Sequence, residues 1–302
     1  MKRSVGTQIK LALGTVQLGM NYGVANTSGK PPLETARKII ETALEAGIKW
    51  LDTAAAYGNS EEVVGDCLAQ LPADFSSDVK IVTKLPSIKN CTIEELDCLV
   101  AQSRSNLRRD VIDGLMLHDA DDLQSAPKDV LKHFLSYAGS DHVRKVGVSV
   151  YSLQQAEQAI EQFGVQLIQV PSNLFDRTFV DVDFFRCCER AGIEVFVRSL
   201  FLQGLFFLPH GHPRISTING AKPALDMLHA FCKRVGCSVQ ELCFADASRF
   251  SHAHILMGAE LPEQVLDNIS HTRFSARTEI LMNLWDSERP KVTEEVIDPR
   301  MW

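Results

Sequence analysis

Trp50-Leu51-Asp52-Thr53-Ala54-Ala55-Ala56-Tyr57-Gly58-Asn59-Ser60-Glu61 passes from an apolar run, through a loop of small residues, into the start of a helix. A short apolar run closed by a polar residue reads as a buried strand. Asn59 or Ser60 stands where a side-chain cap is wanted, and Glu61 and Glu62 suit the positive end of a helix over 60–71. The unit is strand, loop, helix.

Outward from it the same unit recurs. Before it, the apolar run 9–15 precedes a helix over 32–46, whose Ala36, Ile39, Ile40, Ala43 and Leu44 share one face and which Gly47 stops. After it, runs at 79–84, 111–118, 145–149 and 167–171 precede helical patterns at 92–107, 127–137, 152–163 and 182–191. A seventh run, 193–199, leads through an irregular loop at 209–220 to helices at 223–235 and 238–250, and an eighth, 254–257, to helices at 262–270 and 275–285. Eight such units without a composition break predict one domain over 1–302, a (β/α)8 TIM barrel with an extra C-terminal helix. The rival is a doubly wound open sheet, which wants a glycine-rich turn after its first strand. Gly14-Thr15-Val16-Gln17-Leu18-Gly19 contains no GxGxxG.

Composition narrows the function. The net charge of -7, with no basic stripe, argues against a nucleic-acid partner. No apolar stretch approaches the roughly 18 residues of a membrane span, and residues 1–6 lack the apolar core of a signal peptide. The eight cysteines form no CxxC pair, so buried reduced thiols are expected rather than a disulfide or zinc framework. A cytoplasmic protein is the expectation.

Polar residues close three consecutive runs: Asp52, with Tyr57 five residues on, Lys84 after Ile81-Val82-Thr83, and His118 after Gly114-Leu115-Met116-Leu117. Each alone has a plain structural reading, as a turn cap, a loop aromatic, a solvated strand end or a satisfied core histidine. Together, at the C-terminal ends of adjacent parallel strands, they fall on the face where barrels carry their chemistry. A phenol ionises near pH 10 and needs its anion stabilised to exchange protons near neutrality; an adjacent ammonium does that. A buried ammonium in turn needs a counter-charge, which Asp52 can supply. His118 can direct the substrate oxygen. Tyr22, just past the first strand, is the fallback acid.

With Leu51 to Glu61, Val82-Thr83-Lys84 and Leu117-His118 in place, nearly the whole chain resembles the aldo/keto reductases, barrel enzymes that reduce carbonyls with a nicotinamide cofactor and no metal. The resemblance implies Tyr57 as general acid, Lys84 and Asp52 as the residues that tune it, and His118 as the carbonyl's guide. It also implies that Thr15 lies near the nicotinamide ribose and that Ser149 and Gln169 hold the carboxamide. Val150 stands where many members have a third amide contact. By the same likeness Arg198 stacks on the nicotinamide in place of an aromatic, and Ser199 and Gln203 touch the pyrophosphate. In Met257-Gly258-Ala259-Glu260-Leu261-Pro262-Glu263-Gln264-Val265-Leu266-Asp267-Asn268, Gly258, Glu260 and Gln264 lie along the adenosine, and Asn268 and Asp267 match the adenine contacts. Members that use NADPH place cations where Glu260, Leu261 and Gln264 stand. A carboxylate repels a 2′-phosphate and accepts from a free 2′-hydroxyl, so of NAD and NADP, NAD is slightly favoured.

The resemblance implies an NAD(P)H-dependent oxidoreductase acting on an aldehyde, ketone or keto-sugar. The loops after the first, second, fourth and seventh strands, including Tyr22, residues 119–122 and 209–220, are expected to wall the substrate pocket. Asn21, Asp119, Asp121, Asp122, His210 and His212 there suit a small polar carbonyl. Two other readings stand beside it: a nicotinamide-sensing regulator with a protein partner, and an isomerase working through transient oxidation.

Overall fold

Strands buried on both faces are near-continuous in Leu, Ile and Val, because neither side meets water. Eight such strands are present in a computed structural model that describes residues 8–302 except 181 and 251, so the reading of residues 1–6 lies outside the described residues. They are β1 (Lys10–Gly14), β2 (Trp50–Asp52), β3 (Lys80–Leu85), β4 (Ile112–Leu117), β5 (Val143–Ser149), β6 (Leu167–Pro171), β7 (Glu194–Arg198) and β8 (His254–Met257). Each pairs in parallel with the next, and β8 pairs back onto β1, which closes the barrel and rules out an open sheet. Helices follow the strands as expected, and the helix Ala276–Glu288 is the extra C-terminal one.

Two apolar cores result. The larger lies between strands and helices, and a smaller one joins Ala12, Trp50, Val82, Met116, Leu167 and Phe196. These six come from six different strands, which makes them the filling of the barrel. Side chains alternate across a strand, so the residue two further on points inward again, one layer higher. Two beyond these lie Gly14, Asp52, Lys84, His118, Gln169 and Arg198; on β5 and β8 the same layer holds Ser149 and Gly258. One ring thus carries Asp52, Lys84 and His118 together with four of the residues expected at the cofactor.

Local differences from the sequence reading have simple causes. Asn59 precedes the helix Ser60–Gln70 without capping it; its side chain accepts from Lys30, and the Ser60 hydroxyl is drawn inward to Thr15. Residues 209–220 are not wholly irregular. Pro213 opens a short helix, Pro213–Thr217, whose first turn is capped by His212 Nδ1. All eight cysteines are free, four of them buried.

Candidate active site

Lys84 is completely buried, which is tolerable only because its ammonium is fully engaged. Its Nζ donates to Asp52 Oδ1 at 2.7 Å and Oδ2 at 2.8 Å, to Thr53 O at 2.9 Å, and reaches Tyr57 OH at 3.5 Å. Burial alone would lower the amine's pKa, but the Asp52 carboxylate, with a smaller pull from Tyr57, outweighs it and holds the pKa above its ordinary value. Lys84 is therefore a permanent cation beneath the phenol oxygen.

The His118 ring meets the Tyr57 ring edge-on, with centroids 5.7 Å apart. Burial first, then the charges of Lys84 and Arg198, push its imidazole down to about 4, so the ring is neutral near pH 7. A neutral imidazole can still donate one N–H to an oxygen. Tyr22, the fallback acid, shares the cleft, its phenol pushed up to about 12 mainly by burial.

The loop carrying Tyr57 is fixed from both sides. Thr15 Oγ1 donates to Asp52 O at 2.9 Å, Ser60 Oγ donates to Thr15 O at 2.8 Å, and Thr53 Oγ1 donates to Ser60 Oγ at 3.0 Å. Glu61, expected to serve only the helix dipole, is buried and accepts from Thr83 Oγ1 at 2.6 Å and Asn106 Nδ2 at 3.1 Å. It pins the helix to β3 one residue before Lys84.

A cleft of about 670 Å³ opens above the ring, and it is lined by Thr15, Asp52, Tyr57, His118, Ser149, Gln169, Arg198, Ser199, Gln203, Gly258, Glu260, Gln264 and Asn268. Every residue expected at the cofactor is there, though several have work within the fold. Gln169 Nε2 donates to Asp52 Oδ2 at 2.7 Å, which makes it a third partner of the ion pair. Gln264 Oε1 accepts from the backbone N–H of Glu260 at 2.7 Å and of Leu261 at 3.2 Å, capping the helix Pro262–Ser270. Asn268 Oδ1 accepts from Gln240 Nε2 at 2.8 Å. Arg198 donates to Val150 O at 3.3 Å, and its guanidinium lies 4.1 Å from the Tyr151 ring centroid.

The expected wall is only partly right. Tyr22 lines the cleft, but residues 119–122 and 209–220 do not; Tyr151, Phe207, Pro299 and Arg300 stand there instead. Pro299 and Arg300 belong to a terminal turn, Pro299–Met301, that folds back across the strand ends. Gln17 and Gln240 were also missed. Nothing in their local sequence marks them, since each reaches the cleft only through tertiary packing.

The sequence model of the aldo/keto reductase family matches residues 10–286. The chain belongs to that family. It is 27% identical to the NADH-specific methylglyoxal reductase of Escherichia coli (strain K12), over 86% of this chain and 92% of that protein. A shorter stretch, 42% of this chain and 45% of the relative, is 31% identical to the 6-dehydroglucose reductase of Novosphingobium aromaticivorans. Among solved structures, an aldo-keto reductase from Bacillus halodurans (holo form) superposes with a TM-score of 0.72 at 21% identity, covering 98% of this chain and 99% of that one. The glycerol dehydrogenase of Gluconobacter oxydans gives 0.70 at 22%, covering 96% and 94%. At these identities the superpositions speak for the fold.

Proposed function

We propose that this aldo/keto reductase reduces a carbonyl to an alcohol with a nicotinamide cofactor, Tyr57 giving the proton to the oxygen. The observation that carries the reading is the fully buried Lys84 ammonium, clamped by Asp52 and 3.5 Å from the Tyr57 hydroxyl. A cation held there stabilises the phenolate that remains once the proton has left. The neutral His118 donates to the same oxygen and fixes its direction. Gln169 restrains the second Asp52 oxygen, so the carboxylate cannot turn away from Lys84.

Observations independent of the family mark the cleft as a ligand site, into which we place the dinucleotide. Gln17 Oε1 is buried with no hydrogen-bond partner among the described residues and lies against Gly258, where an added Cβ would meet Gln17 Nε2 at 2.1 Å. Ser199, Leu202 and Gln203 adopt φ of 67°, 47° and 54°, a left-handed backbone that costs each about 1–3 kcal/mol and collects at ligand sites. Ser149, Arg198, Ser199, Gln203, Gly258, Glu260, Gln264 and Asn268 would hold the cofactor along this path. When bound, the nicotinamide supplies the hydride for the carbonyl carbon. NAD is favoured over NADP because Glu260 and Gln264 stand where a 2′-phosphate would want cations, and the Escherichia coli relative is named for NADH.

Turnover of aldehydes and keto-sugars with NADH and NADPH, measured alongside fluorescence titration of each cofactor, tests the reading. Tyr57→Phe is expected to lower kcat roughly 10²–10⁴-fold and to leave the NADH dissociation constant nearly where it was. NADH binding without turnover of any carbonyl by the unmodified protein would overturn it.

A further inference from the structure

Charge is unevenly spread around the cleft. Its acids are Asp52, neutralised by Lys84, and Glu260 and Asp267, which stand beyond β8 about the helix Pro262–Ser270. Its arginines gather at the other end. Arg198 lies 4.1 Å and Arg300 3.3 Å, guanidinium carbon to ring centroid, from the same aromatic ring, that of Tyr151. The Arg198 charge is also felt by His118 and Tyr22, which places Arg198 beside the reacting groups, with Arg300 on the same Tyr151 ring.

These two cations share a single close carboxylate. Asp298 accepts from Arg300 Nε at 2.9 and 3.0 Å and from Nη2 at 2.5 Å, and it is buried. Arg300 Nη1 has no hydrogen bond among the described residues, and the Arg300 side chain is 54% exposed at the cleft's rim. Arg198 has no carboxylate within ion-pair distance among the described residues; its guanidinium's one hydrogen bond among them is to the Val150 carbonyl. Stacking on Tyr151 fixes both guanidinium planes without consuming their charge. Asp119 acts on Arg300, and Asp176 and Asp298 on Arg198, at longer range, but only Asp298 forms an ion pair, with Arg300. The free Arg300 Nη1 and the unpaired Arg198 fork remain at the mouth of the cleft as donors that fit carboxylate or phosphate oxygens.

We propose that the substrate carbonyl carries an anionic end group, a carboxylate or a phosphate ester, and that Arg300, with Arg198, selects it. The proposal rests on the reductase reading: the carbonyl lies at Tyr57 and His118 while the anion meets Arg300 at the rim. The reductase reading assigns the chemistry to Tyr57, Lys84, Asp52 and His118, so Arg300 governs which carbonyl is accepted rather than how it is reduced.

The test uses matched pairs with NADH: D-glucuronate against D-glucose, and D-glyceraldehyde 3-phosphate against D-glyceraldehyde. The full chain is expected to prefer the anionic member of at least one pair by about tenfold in kcat/KM, and the pair that responds tells carboxylate from phosphate. Arg300→Gln should remove that preference mainly through KM, and Arg300→Lys should restore part of it. A readout without turnover runs beside it: titration of the NADH-saturated protein with D-gluconate and with glycerol 3-phosphate, where Arg300→Gln should weaken the bound anion about tenfold. If no carbonyl is turned over but an anion binds and Arg300→Gln releases it, the reductase reading fails and the anion site stands. Equal or better use of the neutral members, an equal loss on both members in Arg300→Gln, loss of NADH affinity in that variant, or no binding of either anion would each overturn the proposal.

Discussion

A carboxylate and an ammonium taken wholly out of water are costly unless each finds the other, and Asp52 and Lys84 do so over two contacts of 2.7 and 2.8 Å. Removing one partner is therefore worse than removing both. Lys84→Met should cost about 3–5 kcal/mol of folding stability, because the buried Asp52 carboxyl would lose its counter-charge and keep only Gln169 as a partner. Adding Asp52→Asn should recover part of that loss, and urea unfolding of the single and double variants measures the difference. A single-variant cost below about 1 kcal/mol would mean the pair is solvated. Glu260 makes the contrasting case, half-buried at the end of the cleft with its backbone N–H capped by Gln264. Glu260→Arg should shift the ratio of NADPH to NADH affinity toward NADPH by about tenfold, read by fluorescence titration. No shift would show that the side chain faces solvent in the cofactor complex.

The elements were legible because buried parallel strands read as unbroken apolar runs, and their terminators were legible because a polar group ends such a run. Trp50-Leu51 before Asp52 and Met116-Leu117 before His118 carry both signals in a few residues. Contacts chosen only in three dimensions were not legible. Ser60 looks like a cap and is instead bonded to Thr15, forty-five residues earlier, and Arg300 enters the cleft from the far end of the chain. The short helix Val16–Gly19 is such a contact: a Cβ added at Gly19 would lie 1.9 Å from Tyr57 O and 2.5 Å from Ser60 N. Backbone cannot yield as a flexible side chain can, so Gly19→Ala should push the Tyr57 loop off the Lys84 ammonium. The expected result is a cost of about 1–3 kcal/mol in stability together with a fall in kcat for the best carbonyl. Thermal unfolding and turnover check it, and a variant with unaltered kcat would show that the loop can move without carrying the phenol away.

Across the whole barrel, the proposed chemistry keeps to the C-terminal face, and an ion-pair cluster at the opposite face can be titrated apart from it. At the N-terminal ends of the strands Glu194 opens β7 and His254 opens β8, with Lys145 near the start of β5. Lys145 Nζ donates to Glu194 Oε2 at 2.7 Å, and His254 Nε2 lies 3.2 Å from Glu194 Oε1. Burial would raise the Glu194 pKa, yet the hydrogen bonds from His254 and Lys145 and the Lys145 charge overcome it and bring it down to about 2. A carboxyl whose pKa is lower in the folded than in the unfolded chain contributes stability above its ordinary range near 4.5, and that contribution drains away as pH falls toward 2. Glu194→Gln should therefore be less stable than the unmodified protein at pH 7 by on the order of 2–3 kcal/mol. The gap should narrow steadily below about pH 4.5 and close near pH 2, as followed by urea unfolding at a series of pH values. Because Glu194 lies at the end of the barrel away from Tyr57, the variant should keep its turnover at pH 7. A constant gap across that range would mean that His254 and Lys145 do not hold the carboxylate as the barrel floor requires.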